Sequence, residues 1–472
     1  MQKGRINCLK ALLVASALAM PQLALAAPAG SREAALEARL ERLESELAAL
    51  RGEMAATRSS QEATAAAAQA AATQSQATAT RVAAIEAKPA PAPVATPDGM
   101  RSGSSTIKIG GYIKLLAANT HYGEGEVASN SLGRDFYLPQ AVPTGAGPSS
   151  RVQDFTAKQS RFWLNFATDV KGHTLKGYVE TDFQTSPGTQ GSQRTTNGYN
   201  LALRRAYMQF DKWTFGEDWS TFQYTGALPE STDYVGGAEG TVFVRQPLVR
   251  YSAPLSKEVT LHLGIENPES GTATLGSPTL VENGDDRMPD FTARLAYAGT
   301  LGELSFAGLV RQVHSETAGV SASKGGYGVS AGGKLFLNEA KSGDVRFMVT
   351  YGKNISRYVG LNFAPDAVYV PATNTFEDVN VFAAIGAVRV PLTPQLRVNV
   401  MGSYQSVDYS SALALASIGT YNQRAWSGAI NLFYTPVKNI DLGIEYRHGE
   451  RKLVNAADGA TDRIEFAAKY SF

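Results

Sequence analysis

Cysteine is almost absent from the chain, and the one example, Cys8, lies in an N-terminal stretch built like a secretory signal. Lys3, Arg5 and Lys10 are followed by the apolar run from Ala11 to Met20 and by small residues ending Ala24-Leu25-Ala26. Removing residues 1–26 leaves no thiol, which excludes disulfides, thiolate metal sites, a cysteine nucleophile and a cysteine-linked lipid. Long apolar runs are also missing. Past the signal none approaches the roughly eighteen residues of a membrane-spanning helix, so a mature chain that crosses a membrane must do so as a closed barrel. Excess charge is missing too. The formal net charge is +1, whereas a nucleic-acid partner calls for a clearly basic face. The five histidines (His121, His173, His262, His314, His448) are scattered, and HExxH and P-loop patterns do not occur. No motif asks for a metal or other cofactor. The apolar faces of the later strands offer no Ser–His pair for a lipid-cleaving barrel. The chain therefore reads as a non-enzyme.

What is present falls into unlike parts. Within 27–87, Leu36, Leu40, Leu43, Leu47 and Leu50 alternate spacings of four and three, and the register returns at Val82 and Ile85. This heptad seam predicts a helical coiled coil over Glu33 to Glu86, with an Ala-rich segment helical only in its first heptads as the alternative. Residues 88–105, with Pro89, Pro91, Pro93 and Pro97, read as a semi-rigid linker.

From Thr106 to the end the apolar period becomes two. Strands are expected near 106–117, 160–170, 174–183, 202–210, 213–220, 246–251, 259–267, 289–298, 303–313, 327–336, 344–352, 378–390, 395–407, 423–434, 440–448 and 462–472. Short connections (171–173, 211–212, 299–302, 391–394, 435–439) interleave with long ones (118–159, 184–201, 221–245, 268–288, 353–376). That rhythm predicts an all-β transmembrane barrel of about sixteen antiparallel strands over 106–472, with an N-terminal α-helical coiled-coil extension. Its setting would be the outer membrane of a Gram-negative bacterium, with lipid around the barrel and the coil in the periplasm. The long connection near 221–240, rich in glycine and aromatics and carrying Glu230, Asp233 and Glu239, is expected to fold inward and narrow the channel.

If the apolar parity faces lipid, the other parity lines the pore. It carries Lys108, Lys114, Arg161, Lys176, Arg205, Arg250, Arg294, Arg346, Arg397, Arg447, Arg463 and Lys469. The acids of that parity are fewer: Asp169, Glu180, Asp182, Asp218, Glu266, Asp441, Glu445 and Glu465. A basic wall in a narrow channel attracts anions, and arginine forks suit carboxylates. Arg161, Arg205 and Arg250 are the leading solute contacts because their strands flank the inserted loop; Arg294, Arg346, Arg397 and Lys176 follow. Pairing with neighbouring acids is the competing role for each, and Glu180 with Asp182 reads as half of such a ladder. Arg204, one residue off the lumen parity, is expected at a strand end or interface. His262 has lumen parity and reads as structural.

Several ordered segments carry a family resemblance. They are GGYIKL at 110–115, PQAVPTG at 139–145, KQSRFWLNF at 158–166 and GYVETDFQ at 177–184. LRRAYMQF, FGEDWSTF, LPESTDYVGG, VRQPLVRYS and IENPES continue the series to 270, and PDFTARLAY stands at 289–297. In these the chain resembles the DcaP-like trimeric porins of Gram-negative bacteria. The resemblance implies a sixteen-stranded porin, a homotrimer clamped by the coiled coil, and a preference for small anionic solutes such as dicarboxylates. The alternating final strand, ending at Phe472, resembles an outer-membrane assembly signal. A reading of another class is an envelope tether or adhesin, in which the coil reaches peptidoglycan and the barrel is only an anchor.

Overall fold

The computed structural model describes residues from 94 onward except 97–98, 130, 186–188, 191–197, 283 and 318–319, together with scattered positions between 37 and 76. The expected signal and the return of the heptad at Val82 and Ile85 lie outside the described residues. The chain divides into two compact units, Met1–Ala90 and Pro91–Phe472. In the first, every described position between 37 and 76 is helical. Leu40, Leu43 and Leu47 project from it largely exposed.

The second unit is a closed barrel. Its strands are β1 (Ser105–Tyr122), β2 (Arg161–Val170), β3 (His173–Asp182), β4 (Ala202–Phe210), β5 (Trp213–Trp219), β6 (Arg245–Pro254), β7 (Val259–Glu266) and β8 (Asp290–Ala298). They continue as β9 (Gly302–Thr317), β10 (Val320–Phe336), β11 (Asp344–Lys353), β12 (Thr375–Pro391), β13 (Leu396–Tyr409), β14 (Asn422–Tyr434), β15 (Ile440–Leu453) and β16 (Asp458–Ser471). Each pairs antiparallel with its sequence neighbour, and β16 pairs with β1, which closes the ring of sixteen strands. Closure removes every long edge that would otherwise expose backbone donors to lipid. The period-two alternation works as expected: Ile109, Ile113, Phe162, Phe166, Met208 and Phe210 are exposed on the outer face.

Two departures from the sequence reading concern the edges. A segment at Ser150–Thr156 continues the line of β2 along the upper half of β1. Residues 94–102, assigned above to the linker, contain the short strands Val94–Thr96 and Gly99–Ser102, and the latter pairs with β1 at Ser105, Thr106 and Ile107. The reason is an open edge. The last strand reaches only Tyr112 and Gly111, so the start of β1 lacks a partner on that side until the hairpin supplies one. At the seam, Gly111 and Phe472 exchange backbone hydrogen bonds of 3.1 and 3.0 Å. A Cβ on Gly111 would stand 2.8 Å from the Phe472 ring, so only glycine leaves room for the terminal aromatic there.

Candidate functional site: the lumen

The connection 220–244 leaves β5 and crosses the barrel interior. Its contacts trace the path. Thr221 N donates to Glu266 on β7 (2.7 Å), and Tyr224 Oη donates to Glu303 on β9 (2.9 Å). Arg346 on β11 donates to the Leu228 carbonyl, Glu230 takes both forks of Arg397 on β13, Ser231 reaches Glu445 on β15, and Thr232 reaches Glu465 on β16. Lys114 on β1 then donates to the Thr232 carbonyl (2.6 Å). On its return Gly240 N donates to Ser403 on β13, where a side chain would strike the Ala384 carbonyl. The loop's three acids are fully engaged. Asp233 accepts from the backbone of Tyr137, Val235 and Gly236, and Glu239 is buried between Tyr137 Oη (2.5 Å) and Ser427 Oγ (3.0 Å). Burial pushes the Glu239 carboxyl above its ordinary range against the pull of the Tyr137 hydrogen bond.

On one side of this loop runs a ladder of alternating charge. Arg161 bonds Glu180 (3.0 Å) and Asp182 (2.7 Å); Arg205 bonds Asp218 (2.6 Å) and lies 3.9 Å from Glu180; Arg250 bonds Asp218 (3.0 Å). Arg204 joins it, bonding Asp182 at 2.7 Å. This corrects its expected place at a strand end or interface. Between Glu180 and Thr181 the register with β4 slips by one residue, from Arg205 to Leu203, and the resulting bulge turns Arg204 toward the interior carboxylate. Four arginines thus share three carboxylates. The next arginine along the wall, Arg294 on β8, stands opposite His262 and has no carboxylate partner among the described residues. Its Nε is buried without a hydrogen bond. His262 is held by Ser252 Oγ at 2.9 Å, which fits its structural reading.

On the far wall the cations also meet carboxylates, with Glu230 shared by Arg389 and Arg397 and Asp441 shared by Arg397 and Lys469. Arg346 pairs with Asp344, Arg397 with Glu230 and Asp441, Arg447 with Glu445, Arg463 with Glu465, and Lys469 with Asp441. A cavity of about 200 Å³ lies between the loop and this wall, lined by Tyr112, Lys114, Arg161, Asp233, Asp441 and Lys469 among others. Lys176 sits apart from both walls' pairs, exposed near the short-turn end of β3.

Sequence reasoning missed Arg245. Parity assigned the lumen to Gln246, Leu248 and Arg250, yet Arg245 stacks 4.0 Å above the Trp219 ring and has Tyr234, Arg161 and Arg204 as electrostatic neighbours. No carboxylate among the described residues pairs with it. Its cross-strand partner Trp219 was the available signal, but only the β5–β6 register reveals it. The sequence reading also found no Ser–His pair of apolar parity. The structure has one: His314 Nδ1 and Ser323 Oγ lie 2.6 Å apart on the β9–β10 hairpin. Glu316 is 4.0 Å from the other ring nitrogen, too far to orient it by a hydrogen bond. No three described His, Cys, Asp or Glu side chains converge as metal ligands would.

A closed sixteen-stranded barrel with an inserted loop and a charged interior defines an outer-membrane channel of the porin class. The sequence model of the DcaP outer membrane protein family matches residues 94–472, and the chain belongs to that family. It is similar to the outer membrane channel DcaP of Acinetobacter baumannii, with 25% identity over 81% of this chain and 100% of that one and a TM-score of 0.63. An anion-selective porin from Comamonas acidovorans (11% identity, 78% and 100% covered, TM-score 0.48) and OmpT of Vibrio cholerae (11%, 79% and 99%, 0.47) are more distant likenesses. No curated protein matches. Fold and family place the barrel in the outer membrane as a channel rather than an enzyme.

Proposed function

We propose that the channel passes small hydrophilic solutes passively and favours anions, carboxylates such as dicarboxylates included. One observation carries this reading: four arginines share three carboxylates, and Arg294 beside them has none among the described residues. In a narrow lumen with low-dielectric walls that excess attracts counter-ions, and the guanidinium fork matches a carboxylate. Arg161, Arg205 and Arg250 act mainly through the ladder, while Arg294 is the direct contact. The test is the reversal potential in a tenfold potassium chloride gradient across a planar bilayer. Wild type should shift toward the chloride value, and Arg294→Ala should lose part of that shift. A cation-preferring wild type would overturn the reading.

The proposal includes a homotrimer joined by a periplasmic coiled coil. What supports it is the exposure of Leu40, Leu43 and Leu47 on one helix, an apolar row that a lone chain leaves uncovered. Deleting 27–90, which leaves the 94–102 hairpin on β1, should then release monomers with intact conductance. Trimers that persist beside a loosened envelope would favour the tether instead, with peptidoglycan as the coil's partner.

A further inference from the structure

The barrel wall has a gap where β1 changes partners. Its upper half pairs with Ser150–Thr156 from Leu116 onward and its lower half with β2 up to Tyr112, so residues 113–115 face no strand on that side. Residues 157–160 join the two partners in a turn, closed by Ser160 N donating to the Ala157 carbonyl (2.9 Å). Ser160 Oγ accepts from Lys114 N (3.0 Å), which replaces the missing ladder bond. The same turn throws Gln159 inward, where it is buried on the lining of the cavity of about 200 Å³ beside the crossing loop. Gln159 Oε1 accepts from Lys114 Nζ (2.6 Å), whose second bond goes to the Thr232 carbonyl. Gln159 Nε2 is buried without a hydrogen bond among the described residues, and so is Nε of Arg161 on the same lining. The terminal nitrogens of Arg161 are taken by Glu180, Asp182 and Tyr234. The two acids of the lining are committed as well, Asp233 to three backbone N–H groups and Asp441 to Arg397, Thr435 and Lys469.

We propose that this cavity is a binding site for the carboxylate of a permeating organic acid, and that Gln159 is the residue that tells a carboxylate from chloride. The inference rests on the anion-preferring reading and sharpens it. A charged wall draws anions of every shape, because its field acts on charge alone. An amide N–H is neutral and directional. In the cavity a carboxylate oxygen accepts from Gln159 Nε2, with Arg161 Nε and the third N–H of Lys114 as further donors, while the carbon body meets the Tyr112 and Phe433 rings. A buried donor without an acceptor costs free energy, which an arriving carboxylate recovers. Its two oxygens serve separated donors at once. Chloride has neither that span nor a body to set against the rings.

The experiment uses the full-length protein in a planar bilayer and measures two quantities, the block of the chloride current by succinate and the reversal potential in a tenfold potassium chloride gradient. Gln159→Leu removes the donor without changing the charge. It should raise the half-blocking succinate concentration about tenfold, toward the lower end of what a hydrogen bond to a charged group contributes, and leave the reversal potential where it was. Gln159→Glu keeps an oxygen for Lys114 and turns the donor into an acceptor, so it should weaken block at least as far with the crossing loop still held. Unchanged block in either variant overturns the site, as does a Gln159→Leu pore whose reversal potential falls in step with its block. A wild-type pore without anion preference would instead sink the reading beneath it, so the two failures are distinguishable.

Discussion

The barrel interior has two halves that solve the same problem differently. From β2 to β8 the wall is ionic, with carboxylates shared between guanidiniums and open space beside them. From β9 to β14 the end nearest the long connections is filled, while the ion pairs of Arg346 and Arg397 stand nearer the short turns: Phe222, Ile355, Tyr358, Val359, Phe363, Val381, Ile385, Val407 and Tyr421 pack into one apolar core beneath the connection 354–374. Apolar packing stabilises without directional partners but leaves no path for water. The ionic side is held instead by hydrogen-bonded charge.

The largest expected effect breaks the filled half. Arg311 is completely buried between Asp290 (3.4 Å) and Asp366 (3.1 Å), tying β9 to the 354–374 connection. Arg311→Ala strands two buried acids and should cost about 3–5 kcal/mol. Denaturant unfolding and a rise in single-channel conductance would both register it. Next, Gly240→Ala should push the crossing loop off β13, changing conductance severalfold with little change in barrel stability, as read by conductance and heat-modified gel mobility. Asp218→Asn sharpens the contrast, since it frees Arg205 and Arg250 together and should increase the anion shift of the reversal potential while Arg294→Ala decreases it. The smallest effect is a pH dependence. Because burial raises the Glu239 carboxyl in the fold against the pull of Tyr137, the buried site favours its neutral form, and its contribution to loop stability is full at low pH and is lost as pH rises through that raised value. Open-channel noise should fall on acidification in wild type and lose this response in Glu239→Gln.

The alternation of exposed apolar residues exposes all sixteen strands in the sequence, because lipid imposes parity on every residue that faces it. Ser150–Thr156 escaped because its short alternation follows Gly- and Pro-rich residues that read as loop. The inward path of 220–244 was legible from its length and composition, but its anchors on β11 to β16 join residues more than a hundred positions apart. Parity found Arg161, Arg205, Arg250 and Arg294 but could not rank them, since which arginine keeps a free fork depends on register across strands. Arg204 and Arg245 show the limit most clearly: a bulge and a strand end reverse the rule that parity applies.

The seam between Phe472 and Gly111 has a temporal consequence. It joins the first strand of the ring to the last, so the joint cannot form before every strand between them has been made. Until then the sheet carries two unpaired borders. Sealing is therefore the closing event in the making of the cylinder, and everything that precedes it is an open ribbon.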